Sequence, residues 1–205
     1  MELAPGDASI MSDLAVLYFN IGRVDEAVKL ARQAAERDPL NARAQAGLGF
    51  IFNLSGEWQQ ALAPLAQAVA LAPAIEEVRS FTARSLAMLG RTNEAAAAAK
   101  QEPNEAYRLA ALSYLGRQAE QAAASDRAFD EFISKYGEEM PAYVAVIYAL
   151  RDEVEPAFVW SERAVSRRDA GIAWMKTNVY IRSMHADPRW PALLRRVGLA
   201  DDQLK

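Results

Sequence analysis

The chain has 205 residues, 52% hydrophobic and 24% charged, with a formal net charge of −4. That balance supports a continuous core and argues against a broad phosphate-binding surface, which needs an excess of basic residues. With no cysteine and one histidine, disulfides, thiolate chemistry and zinc sites of the ordinary ligand type are excluded. The sequence holds no 18-residue apolar run that could span a membrane, and its first residues lack the basic and apolar runs of a secretory signal.

In chain order, the elements keep a beat. Leu3-Ala4-Pro5, Arg37-Asp38-Pro39 and Leu71-Ala72-Pro73 end the same short phrase at intervals of 34 residues. A fixed period of that kind implies stacked copies of one unit. Asp7 and Asn41 stand just before helical runs, where a short polar side chain accepts from free backbone N–H groups. Ile10, Leu14, Leu17 and Ile21, then Leu48, Ile51 and Phe52, show the three- and four-residue spacing of apolar residues along a helix. Gly22, Gly56 and Gly90 fall where each helix must turn back, and return helices are predicted from about Val24, Trp58 and Thr92.

Small residues mark the predicted crossings. Ala15, Gly49 and Ala83 step by 34, as do Ala27, Ala61 and Ala95, and the pattern recurs at Ala110 and Ala122, then at Ala145 and Ala157. The third step is therefore only 27 residues. Pro103 disfavours helix at Glu102, so the third return helix is expected to be short, with a change of direction near Gln101 to Asn104. Pro64 predicts a kink within its helix. After Asp169 the period stops. A short helix is expected at 171–176 and a last one at 187–199, where Trp174, Trp190, Leu193 and Leu194 would cap the open end.

Leu14-Ala15-x-x-Tyr18 with Gly22, Ala27, Ala34 and Pro39, and Leu48-Gly49-x-x-Phe52 with Gly56, Ala61, Leu65, Ala68 and Pro73, resemble the tetratricopeptide repeat (TPR) family. Weaker copies follow through Ala83, Leu86 and Gly90, then Leu109, Ala110 and Gly116, and a clear one returns with Val144-Ala145-x-x-Tyr148, Ala157 and Ala164. The resemblance implies an all-α fold, a right-handed superhelical array of antiparallel helix hairpins. Its repeats would lie near 8–41, 42–75, 76–102, 103–136 and 138–171, giving an array over 1–171 and a capping segment of the same domain over 172–205. That tail is similar to the closing segment of bacterial TPR proteins attached to adenylate cyclase, kinase or winged-helix regulator domains, although Asn178 and Tyr180 depart from the expected phrase. The opening phrase suggests a piece of a longer protein with Met1 as an added start, and the tail suggests that Lys205 lies near the parent's end.

The resemblance also implies a function: the first helices of the hairpins line a concave groove that holds a partner's peptide. The matching positions are Phe19, Asn20, Phe50, Asn53, Leu54, Arg84, Met88, Tyr107 and Tyr114, with Arg43 at the rim. The basic clamp of the family's chaperone-tail receptors is not matched, because Ser12, Val16, Gly47, Glu77 and Phe81 stand at its positions. A partner with apolar anchors is expected in place of an acidic tail. No catalytic residue, metal ligand or cofactor is assigned. His185 reads as a polar residue of a capping loop, and pairs such as Asp25-Glu26 suit helix starts. The expected partner is a protein or peptide, not nucleic acid or membrane, within a scaffold or sensory domain of a larger bacterial signalling protein; self-association through the groove or an open end is the alternative. The cytoplasm is favoured and the periplasm left open.

Overall fold

Short polar side chains cap three of the first helices. In the computed structural model, which describes residues 7–117 and 121–204, Asp7 Oδ1 accepts from the N–H of Ser9 at 2.8 Å at the head of α1 (Ala8–Asn20). Asn41 Oδ1 does the same for Arg43 and Ala44, both at 3.1 Å, at the head of α3 (Ala42–Ser55). Asn104, which the sequence does not single out, repeats the device for α7 (Glu105–Ser113). The Leu3-Ala4-Pro5 phrase and Lys205 lie outside the described residues.

Each first helix turns back into a return helix: α2 (Val24–Arg37), α4 (Trp58–Leu71) and α6 (Thr92–Lys100). The turns pass through Gly22, Gly56 and Gly90 at φ of 93°, 90° and 74°, a region that costs other residues energy. The array continues with α5 (Val78–Met88), α8 (Ala122–Tyr136), α9 (Pro141–Leu150) and α10 (Val154–Arg167), giving an all-α stack of helical hairpins. Helix α6 has nine residues where α2 and α4 have fourteen. Helix α4 runs from Trp58 to Leu71 through a buried Pro64.

Small side chains set the crossings. Ala15, Ala27, Ala61, Ala83, Ala95, Ala110, Ala145 and Ala157 are all fully enclosed. At Gly49 an added Cβ would lie 2.5 Å from Leu65 Cγ, so two backbones approach there as closely as the missing methyl allows. One assignment needs correcting. Ala122 opens α8 and is partly exposed, whereas the buried fourth position, matching Ala27, Ala61, Ala95 and Ala157, is Ser125. The cause is the longer joint before α8, which holds a 3₁₀ turn at Tyr114–Arg117. The Ser125 hydroxyl finds a partner by donating to the Ser113 carbonyl at 2.8 Å.

The tail departs further from expectation. After α10 the chain enters the inner side of the array through 3₁₀ turns at Ala170–Trp174 and Val179–Ile181, and then α11 (Arg182–His185). Asp169 fixes the entry by accepting from the N–H of Gly171 at 2.8 Å and of Ala142 at 2.9 Å. Thr177 Oγ1 donates to the Phe19 carbonyl at 3.1 Å, and Ser183 Oγ to that of Ala149 at 2.7 Å. Trp174 therefore covers the inner face and not the open end. The end is covered by α12 (Trp190–Arg196), tied to α10 by Arg189 with Glu155 at 2.8 Å and by Arg196 with Glu162.

Filling a crossing should cost more than enlarging an exposed alanine. Ala61→Leu is expected to destabilise by roughly 1–3 kcal/mol through overpacking, while Ala97→Leu on the exposed side of α6 shifts the denaturation midpoint little. Equal midpoints in urea would remove the crossing assignment.

Candidate interaction surface

Rings pave the inner face. Phe19, Phe50 and Phe81, one each from α1, α3 and α5, meet edge to face with centroids 6.3 and 5.2 Å apart. Trp174 of the tail joins that row at 6.1 Å from Phe50 and 5.2 Å from Tyr143, which in turn lies 5.9 Å from Tyr107. The three phenylalanines are 31 residues apart, not 34, so the stripe slips by about one helical turn per hairpin and runs diagonally. That spacing was available in the sequence, but the 34-residue register hides it by pairing Phe19 with Asn53.

The tail, not an empty groove, occupies the centre of this face. Met175, Asn178, Tyr180, Ile181 and Met184 are buried in it. Five of the expected groove residues are inaccessible: Phe19, Asn53, Leu54, Arg84 and Tyr114 are at most 3% exposed. Asn53 serves the packing of α3 on α5, its amide donating to the Phe81 carbonyl at 3.0 Å and to Ser85 Oγ at 2.8 Å. Arg84 is stacked against Phe81, Tyr114 and Tyr180, with its Cζ 4.5, 4.9 and 5.6 Å from the ring centroids. Its Nη1 donates to the Tyr114 hydroxyl at 3.4 Å, while Nε and Nη2 have no hydrogen-bond partner. Asn20, Met88 and Tyr107 are half-buried, and Met88 lines a separate small cavity beside Trp58 and Val179.

Phe50 and Arg43 have a different setting. They line a cavity of about 360 Å³ between α1, α3 and the start of α5, where the tail leaves the inner face uncovered. Phe50, Phe81 and Val78 give it an apolar floor, Val16 and Ala46 its walls, and Asp13, Glu76 and Glu77 its acidic rim. Arg43 pairs with Asp13 at 2.8 Å, both side chains mostly in solvent. Glu77, missed as a site residue, sits at the head of α5 at φ 68°, an unusual conformation for a side chain of that size. Burial pushes its carboxyl up to about 7, against the pull of Arg84 and with some help from Glu102. Tyr107, near the same acids, is pushed up to about 12 by burial first and then by Glu77, Glu76 and Glu102. Glu102 is itself buried in the joint before α7, where its Oε1 accepts from the N–H of Glu77 at 3.0 Å and of Asn104 at 3.2 Å. Among the described residues no group of three or more histidine, cysteine, aspartate or glutamate side chains could hold a metal ion, and no helix is long and apolar enough to cross a membrane.

Residues 1–49 match the family model for the tetratricopeptide repeat. Among solved structures, that of YrrB, described as a TPR protein with an unusual peptide-binding site, superposes with a TM-score of 0.50 over 83% of this chain and 91% of that one, at 16% identity. The fold is that of a TPR array. No curated protein matches the chain.

The Glu77 carboxyl makes a pH-dependent contribution to stability. Because its proton is held more tightly in the folded chain than in the unfolded one, stability falls as pH rises from about 4.5 to about 7 and then levels. Glu77→Gln removes that loss, so its melting temperature should exceed the parent's most at pH 8, with the gain narrowing toward pH 5. A gain that grows toward low pH would contradict the burial of a carboxyl here.

Proposed function

We propose that this TPR array is a protein-interaction module that takes a segment of a partner protein into the cavity between α1, α3 and α5, beside its own tail. The supporting observation is the division of the inner face into a covered and an uncovered part. Complete burial of an apolar side chain is worth about 1.5–3 kcal/mol, so Met175, Ile181 and Met184 together contribute about 4.5–9 kcal/mol to holding the tail, before the cost of ordering its chain. That is comparable to the whole stability of a typical domain. A partner competing for the covered part would have to exceed it, whereas the open cavity requires no displacement. Its volume falls in the range of ordinary ligand sites. The peptide-binding site named for YrrB is consistent with such a use of the fold. A role as scaffold or sensory domain of a larger bacterial signalling protein is supported by the resemblance of the tail phrase.

Self-association is a second reading, favoured by one observation. Leu14 and Leu17 on α1 are 38% and 52% exposed, and Leu40 is 78% exposed. Light scattering over a range of concentrations separates the two, since a self-associating chain gains mass with concentration.

The test of the first reading uses random peptides displayed on phage and selected on the full chain. Selected peptides should lose their binding to Ala46→Trp, which fills the cavity, while that variant melts as the parent does. A true anchor site costs at least about 2 kcal/mol when blocked, close to thirtyfold in affinity. Peptides that bind Ala46→Trp and Val16→Trp as well as the parent would place the interaction elsewhere.

A further inference from the structure

The open cavity carries a sign as well as a shape. Three carboxylates, of Asp13, Glu76 and Glu77, stand around its apolar floor against one guanidinium, Arg43, which is already paired with Asp13. Glu76 Oε2 accepts a 3.2 Å bond from the Asn104 amide, an uncharged partner. Arg84 lies beneath Glu77, but it is enclosed among the rings of Phe81, Tyr114 and Tyr180 and is not exposed to the cavity.

We propose that the cavity receives a basic segment of the partner, with an apolar side chain lying on Phe50 and Phe81 and a neighbouring lysine or arginine held by Glu76 and Glu77. The proposal rests on the reading of this cavity as the interaction surface and adds the chemistry of what enters it. An acidic segment would set its carboxylates against those of Asp13 and Glu76 and disfavour ionisation of Glu77 further, and like charges brought together in a partly desolvated site are costly. A neutral segment would cover Glu77 without supplying a counter-charge, deepening the desolvation that already disfavours its ionised form. A cation removes both penalties, and the stem of a lysine or arginine is itself apolar enough to lie along the rings.

This arrangement couples binding to a proton. Facing Glu77 are Glu76 beside it, Arg84 on the same helix, Glu102 and Asn104 from the joint before α7, Tyr107 and Tyr114 from α7 and the turn after it, and Asp13 and Arg43 across the cavity. Both tyrosines are neutral near pH 7, since burial raises each of them. A bound cation favours the ionised Glu77, so binding below pH 7 expels a proton and tightens as pH rises from 6 to 8.

The test titrates the full chain, by calorimetry, with three synthetic peptides that carry one central tryptophan flanked by lysines, by serines or by glutamates. The lysine peptide should bind at least about tenfold more tightly than the serine peptide at low salt, and less so at high salt, as expected for a charge contact. The glutamate peptide should bind weakest of all. Glu77→Gln should weaken the lysine peptide and abolish its pH dependence, and Glu76→Gln, an exposed change, should weaken it without removing that dependence. Glu138→Gln, at a remote acid paired with Arg163, should do neither. Equal or tighter binding of the serine or glutamate peptide would overturn the proposal, as would lysine-peptide binding that ignores both Glu76→Gln and Glu77→Gln. If phage-selected peptides lose binding to Ala46→Trp yet prove acidic or uncharged, the charge inference fails while the interaction reading stands. If Ala46→Trp and Val16→Trp affect none of them, both fail.

Discussion

The structure depends on how the inner face of a curved helical stack is kept from water. Packing first helices side by side places one apolar stripe per hairpin on the same concave surface, here Phe19, Phe50 and Phe81. Left open, that surface would be a large apolar patch of a kind that folded chains seldom leave uncovered. The chain covers part of it with its own residues 170–185, whose polar side chains donate to carbonyls of the array and cap backbone N–H groups of the tail itself. Asp169 holds the entry, Thr177 and Ser183 bond carbonyls of α1 and α9, and Asn178 turns its own carbonyl oxygen back to the N–H of Tyr180 at 3.0 Å.

That covering determines what the site can be. A long groove suited to an extended peptide becomes a short mouth bounded by α1, α3 and the start of α5. The same covering leaves a buried guanidinium, Arg84, enclosed by rings from three parts of the chain. An arginine in that setting offsets lost hydration through the faces of the rings more than through hydrogen bonds, of which it makes one at 3.4 Å. Glu76 and Glu77 line the mouth, and Glu102 behind them adds to the burial that disfavours ionisation of Glu77, so carboxylates are crowded and partly dried there. Such crowding makes an incoming cation favourable.

Much of the fold was legible because it follows local rules. The caps at Asp7 and Asn41, the turns through Gly22, Gly56 and Gly90, and the crossings at Gly49 and Ala61 each need a particular residue type at a particular place. The crossing at Ser125 was hidden because an irregular joint shifts the fourth hairpin, and a serine with its hydroxyl satisfied can stand in for an alanine. The candidate site was less legible. Assigning Asn53, Leu54, Arg84 and Tyr114 to a groove assumed an empty concavity, and no period reports where a non-repeating tail will lie. The apolar residues of that tail, Met175, Tyr180, Ile181 and Met184, carried the signal, since an end cap open to solvent on one side would not bury them all. Phe50 and Arg43 belong to the mouth, while of the acids that give it its sign only Glu77 was singled out, as a departure from a basic clamp.

The claim on which the rest stands is that the tail lies inside the array, and ring-to-ring nuclear Overhauser effects test it directly. Trp174 is predicted to show cross-peaks to the ring protons of both Phe50 and Tyr143, whose centroids lie 6.1 and 5.2 Å from its own, because edges of such rings come within reach of proton–proton transfer. A Trp174 indole with no cross-peak to either ring, together with rapid exchange of the 175–184 amides, would mean that the concave face is open and that the account is wrong.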